Sequence, residues 1–312
     1  MSMRIIIPGG SGQVGQVLAR HFHAEGHNVT VLSRSPQPAP WQVLKWDGLS
    51  PGPWTKVLGE SDICINLAGR SVNCRYNRRN RRAIYESRIQ STRLLNRVIA
   101  ALDRPPRLWV NASTGAIYSH VPDRAMDETN GTLGGNEPGL PSSWKFPFEV
   151  ATAWEQAFFS TATPRTRKIA TRSTIILSPD RGGIFDVLLG FVRHGLGGRQ
   201  GSGKQYVSWI HEADFLRATE LLIAREDFSG VVNLASPNPL PNSEFMKELR
   251  AAWGTRIGLP SPAWMVGIGA FLLRTEPELV LKSRRVVPGR LLAAGFQFRF
   301  PEWPAAAGDL VT

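Results

Sequence analysis

Cysteine is almost missing from this chain: Cys64 and Cys74 are the only two in 312 residues. Two thiols make neither a disulfide framework nor a metal-binding pattern, so no metal is expected. Long hydrophobic runs are missing too. The longest, Ala263 to Leu273, is far shorter than the ~20 residues that cross a bilayer, so no membrane role is expected. The first strand-like run starts within four residues of Met1, which predicts no signal peptide and a cytoplasmic address. Acids are scarce in one place of consequence: none stands between Glu25 and Asp47. Nor is any tyrosine followed four residues later by a lysine. After Tyr76, Tyr85, Tyr118 and Tyr206 those positions hold Asn80, Ile89, Pro122 and Ile210.

Acids are outnumbered throughout, and the net charge is +12. Eight arginines (70, 75, 78, 79, 81, 82, 88, 93) face one acid, Glu86, between Arg70 and Arg93. This segment therefore carries +7 and the remainder only +5. Such a patch could attract nucleic acid, a dinucleotide or a small anionic substrate, or could simply be a solvated helix face. No nucleic-acid recognition motif accompanies it, so nucleic acid is not the expected partner.

What is present begins with Pro8-Gly9-Gly10-Ser11-Gly12-Gln13-Val14-Gly15. It follows the apolar run Arg4 to Ile7 and precedes Val14, Val17, Leu18 and Phe22, spaced as one helical stripe. Gly9, Gly12 and Gly15 sit between strand and helix, where unpaired N–H groups and the helix dipole would receive a phosphate. Alone, this triplet is a tight turn. With a second strand at Asn28 to Leu32, it becomes a dinucleotide-binding unit, whose contacts are expected at Gly9, Ser11, Gly12, Gln13 and Val14. About twenty residues on, where an acid would accept from a ribose 2′-hydroxyl, stands Arg34, preceded by Ser33. An arginine suits a 2′-phosphate, and the expected cofactor is NADP(H).

Strands at Val43–Leu44, Asp62–Gly69, Leu108–Ser113, Ile169–Leu177, Tyr206–Ile210 and Gly230–Leu234 alternate with helices near 79–100, 148–159, 183–195 and 211–224. Thr114 to Pro147 is expected to be mostly loop. The alternation predicts an α/β, Rossmann-type, doubly wound parallel sheet over residues 1–235. The fourth strand ends in Leu67, Ala68 and Gly69, small enough to let a cofactor reach the backbone. Residues 236–312 are expected to form a small, mostly helical cap on the substrate side. Within it, the apolar helix after Ser261-Pro262 is expected in the core or at a partner interface, and a homodimer stays open.

Four stretches now carry a resemblance: Gly9–Gly15; Asn66-Leu67-Ala68-Gly69; Ser87-Arg88-Ile89 with Thr92; and Ser208-Trp209-Ile210-His211 with Asp214. The chain resembles an extended short-chain dehydrogenase/reductase of the NAD-dependent epimerase/dehydratase superfamily. It is most similar to an atypical group labelled sugar-nucleotide epimerases or cell-division inhibitors. Val287 to Phe296 resembles that group's short C-terminal domain of unknown function. The resemblance implies NADP as cofactor and an Arg88 that faces the cofactor side, while the 78–82 cluster, nearer the helix start, is expected to be mostly solvated.

Superfamily members use a tyrosine and a lysine four residues apart on one helix as proton donor and ribose anchor. Counted back from Trp154-Glu155, those positions fall near Pro147 and Ala151, which hold no proton. Ser113, Thr114 and His211 are the remaining catalytic candidates. Tyr118 is expected to pack beneath the site, and Asp214 to orient a loop. Two readings follow. One is an NADP(H)-dependent oxidoreductase or epimerase-like enzyme acting on an unidentified small molecule, an anionic one among the options. The other is a catalytically inactive NADP(H)-binding sensor or interaction protein.

Overall fold

The computed structural model describes residues 2–120, 123–137, 144–272 and 276–312. Apolar runs of four to seven residues form seven parallel strands: β1 (Arg4–Pro8), β2 (Asn28–Ser33), β3 (Gln42–Lys45), β4 (Ile63–Asn66), β5 (Leu108–Thr114), β6 (Arg167–Ser173) and, much later, β10 (Gly230–Leu234). Their order across the sheet is β10-β6-β5-β4-β1-β2-β3. The chain reverses direction across the sheet at β1, which lies between β2 and β4. In open parallel sheets a crevice forms at that switch, outside the carboxyl ends of the strands.

Helices α1 (Gln13–Ala24), α2 (Trp54–Glu60), α3 (Arg78–Ala101), α4 (Lys145–Phe159), α5 (Ile184–Arg193) and α6 (Glu212–Ala224) alternate with the strands. Strands covered on both faces read as continuous apolar runs, and Ile5, Ile6 and Ile7 are all fully buried. Ile5 and Ile7 join Leu18, Phe22, Phe215 and Leu222 from α1 and α6 on one face. Ile6 and Cys64 join Leu94, Leu95 and Phe158 from α3 and α4 on the other.

The run 169–177, expected as one strand, is two. After Ser173 the Thr174 N–H and hydroxyl both donate to Leu234 O. The chain then leaves the main sheet as β7 (Ile175–Leu177), which pairs with β9 (Trp209–His211). A further pair joins β8 (Tyr206–Val207) to β11 (Leu240–Pro241). Of the expected loop 114–147, residues 121–122 and 138–143 lie outside the described residues, and α4 begins at Lys145, three residues earlier than expected.

Beyond Ala235 come α7 (Asn242–Trp253), α8 (Ala263–Leu272), α9 (Glu278–Leu281), α10 (Gly289–Ala293) and α11 (Trp303–Val311). Trp303 on α11 stacks on Phe245 of α7 at 4.0 Å and meets Trp209 of β9 edge-on, closing a third core. That packing corrects the expectation of a core position for α8. Phe245, Leu249, Trp303 and Leu310 fill this core together with Phe185 and Trp209, and Trp264 and Phe271 of α8 remain 65% and 67% exposed. Among the described residues no helix is long and apolar enough to cross a membrane.

Candidate functional site

A cavity of about 300 Å³ opens at the β1/β4 switch. Its floor is backbone. Gly9 has φ +77°, in the left-handed region that favours glycine, and a side chain there would meet Ala68 Cα at 2.7 Å. At the start of α1, a side chain on Gly15 would fall 2.4 Å from Gly10 Cα. Gly12 caps α1 without any side-chain hydrogen bond. The first amides of the helix thus meet no built-in acceptor from their own cap, and the positive end of the dipole faces outward. Across the cleft, Asn66 donates to Asn111 Oδ1 at 2.7 Å and accepts from the Ala68 N–H at 3.1 Å, which fixes the turn carrying Ala68 and Gly69.

Gly9, Ser11, Gly12, Ser33, Arg34, Leu67, Ala68 and Gly69 all line this cavity. Ser33 Oγ donates to Ser11 Oγ at 3.1 Å, tying the glycine turn to the end of β2, and Arg34 beside it is exposed. Gln13 and Val14 contribute no side chain to the lining. Gln13 packs against Gly183 and Val14 against the core, so only their backbone is available to a ligand.

Arg88 also stands apart from the lining. Its guanidinium lies behind Gly69 and over the Trp154 ring at 5.0 Å, and Nη1 donates to Arg70 O and Ile84 O. Burial lowers its pKa to about 10. Arg88 therefore braces the loop, and Arg70 is the arginine that faces the cavity. Within the 78–82 cluster, Arg78, Arg79 and Arg82 are exposed, but Arg81 packs over Phe146 at 5.0 Å, a correction to the expectation of solvent. Leu32, Trp46, Asp47, Gly48, Leu49, Ser87 and Ser91 complete the lining and were not anticipated. Trp46 to Leu49 follow β3, a position that could have been inferred from the rule that ligands bind beyond the carboxyl ends of strands, whereas Ser87 and Ser91 come from α3.

None of Ser113, Thr114 and His211 lines the cavity. Ser113 Oγ donates to Glu155 Oε1 at 2.6 Å. Arg172 holds the same carboxylate through Nε and Nη2 at 2.8 and 2.7 Å and donates through Nη1 to the Tyr118 hydroxyl. Tyr118 in turn donates to Asn233 Oδ1 at 2.9 Å, all of it buried. Burial raises the Tyr118 phenol above its ordinary pKa, against the pull of Arg172. Thr114 spends its hydroxyl accepting from the Ala116 N–H at 3.1 Å.

His211 is the cap of α6. Its Nδ1 accepts from the Ala213 N–H, Nε2 lies 3.2 Å from Asp309 Oδ2, and the ring packs on Phe300. Burial lowers its pKa. Asp214 accepts from the N–H groups of Arg299 and Phe300. His211 and Asp214 fasten the last segment of the chain to β9 and α6, and neither lines the cavity.

Comparison with known proteins fits this architecture. Residues 5–138 match the model of the NAD dependent epimerase/dehydratase family, and residues 261–310 match a domain of unknown function, DUF1731. Over 312 residues the chain is 32% identical to the epimerase family protein SDR39U1 of Homo sapiens, covering 99% of this chain and 100% of that one. An epimerase family protein of Mycobacterium bovis is 31% identical, over 99% and 97%. A crystal structure of human SDR39U1 with NADPH superposes with a TM-score of 0.85 at 31% identity, over 99% of both chains. A Bacillus cereus UDP-N-acetylglucosamine 4-epimerase, 16% identical with a TM-score of 0.73, shares the fold. By these full-length likenesses the chain belongs to the SDR39U1 epimerase family, within the NAD-dependent epimerase/dehydratases.

Proposed function

We propose that this chain is a cytoplasmic NADP(H)-dependent oxidoreductase or epimerase-like enzyme with a small-molecule substrate, and that its cofactor occupies the cavity at the β1/β4 switch. The carrying observation is that Arg34 lines that cavity beside an uncapped helix start and a glycine floor with no room for side chains. The human relative crystallised with NADPH supports the choice of dinucleotide. Bound there, NADP(H) supplies or accepts a hydride. The chain's own residues do the holding. The α1 amides meet the diphosphate, Arg34 makes charge-assisted hydrogen bonds to the 2′-phosphate, and the Ala68–Gly69 turn admits the dinucleotide close to the backbone.

The test is a fluorescence titration with NADPH and NADH. NADPH should bind more tightly, and Arg34→Ala should cost it about 1.5–3 kcal/mol while leaving NADH nearly unchanged. Equal affinity of the unaltered protein for the two cofactors would refute the reading. A second reading, a binding protein without catalysis, draws on the engagement of Ser113, Tyr118 and Arg172 with one another.

A further inference from the structure

An apolar stripe faces water along α8 and the segment before it. Ile257, Leu259, Trp264, Ile268 and Phe271 are each more than half exposed. Trp264, Ile268 and Phe271 follow one another at spacings of four and three, so they share one face of α8. The stripe is not a frayed end. Before α8, the Leu259 N–H donates to Gly195 O and the Ser261 N–H to Arg199 O. After it, Glu276 accepts from the Tyr76 N–H at 2.6 Å. Helix α8 is thus moored at both ends with an apolar face outward, and a contiguous apolar patch marks a place of interaction.

The charges at the two ends of the stripe say what it meets. Between Glu248 and Glu276 the sequence has Arg250, Arg256 and Arg274 and no acid. At one end Arg193 lies over the Trp253 ring at 4.5 Å, and Arg256, three residues on, is exposed. At the other, Arg75 lies over the Phe271 ring at 4.4 Å, and the exposed Arg78 and Arg79 follow it at the start of α3. Large apolar side chains including a tryptophan, flanked by arginines, suit a helix lying flat on an anionic bilayer surface. A second copy of the chain fits less well. A two-fold contact along the stripe sets arginine against arginine, and like charges repel across an interface. An acidic protein would seat its anchors in pockets, and the cavity at the β1/β4 switch draws no residue from the stripe. The shortness of the apolar run excludes a span, but lying on a surface needs none.

We propose that α8, with Ile257 and Leu259 before it, is a docking surface for an anionic lipid bilayer. The apolar stripe enters the headgroup boundary, and the arginines at its ends meet the acidic lipids. The dinucleotide cavity takes no part in this contact.

Vesicle sedimentation of the full chain tests it. The probes are vesicles of phosphatidylcholine alone and of an equal mixture of phosphatidylcholine and phosphatidylglycerol. The mixed vesicles should hold the protein at least about tenfold more strongly, and rising salt should shrink that gain. Trp264→Ser/Ile268→Ser/Phe271→Ser changes exposed side chains, so thermal unfolding should stay as in the unaltered chain while vesicle binding falls about tenfold or more. Arg75→Gln/Arg256→Gln should lose most of the preference for the anionic mixture. A serine variant that sediments like the unaltered chain would show adhesion by net charge alone and overturn the proposal. Failure of the unaltered chain to sediment with either vesicle would overturn it too. In that case, dimerisation in the ultracentrifuge that the serine variant loses would assign the stripe to a second copy. Tight binding of polyglutamate without vesicle binding would assign it to an acidic protein.

Discussion

Two polar regions lie at the carboxyl ends of the same sheet, and they are built on opposite principles. At the β1/β4 switch the groups are left open. Glycine and backbone form the floor, α1 lacks a cap side chain, and Arg34 reaches into the cavity. At β5, β6 and β10 the groups are saturated. Ser113, Glu155, Arg172, Tyr118 and Asn233 satisfy one another in a closed chain of hydrogen bonds. Residue types that suggest catalysis mark the second region, whereas the capacity to receive a ligand belongs to the first. Polar side chains in a buried network rigidify the fold, and only unspent ones can act on something else.

The sharpest way to break the comparison is at the Arg172–Glu155 pair, whose side chains are 9% and 11% exposed and 2.7 Å apart. Arg172→Met leaves a buried carboxylate without its partner and should cost about 3–5 kcal/mol in denaturant unfolding. The residual folded protein should still bind NADPH, and a specific loss of binding with stability intact would show that the network belongs to the site.

Gly9→Ala works in the other direction. The new methyl group meets backbone at 2.7 Å with a positive φ, so about 1–3 kcal/mol of stability should go, along with most NADPH affinity. Unchanged NADPH titration would remove the glycine turn from the cofactor site.

A smaller effect is expected from Tyr118→Phe, which strips one partner each from Arg172 and Asn233. Stability should fall by about 1 kcal/mol, and any NADPH-dependent turnover should largely survive. A 10²-fold drop in turnover, with folding and NADPH binding intact, would make Tyr118 the proton donor.

The smallest effect is a slope. His211 has a pKa lowered by burial, so the unfolded chain binds its proton first as pH falls below the ordinary histidine value. Its contribution to stability is complete above about 6.5 and is lost as pH drops through the lowered folded value. His211→Asn keeps a cap acceptor but does not titrate, and should flatten the dependence of stability on pH between 7 and 5. An unchanged slope would assign it to other groups.

The open region was legible in the sequence because its determinants are local. Gly9, Gly12 and Gly15 are three residues apart, and the strand–turn–helix pattern fixes where they go. The saturated region was not, since its bonds join residues 42, 54 and 115 positions apart. Ser113 reads as free chemistry until β6, carrying Arg172, is placed beside β5. The engagement of His211 was hidden for the same reason, its partner Asp309 arriving from the far end of the chain. Arg88 shows a subtler limit. Its helix and its orientation toward the strand ends were readable, but Gly69 and Arg70 come between it and the cavity.

The closure of the third core by Trp303 bears on how the protein is made. Trp209 and Phe245 are translated long before the indole that covers them. A ribosome emits roughly 5–20 residues per second, so the interval is several seconds. During it the nucleotide-binding half can settle while a large apolar face waits uncovered. Such faces are what chaperones bind, and a nascent chain halted just before residue 303 should be held by them far more tenaciously than one halted at 312.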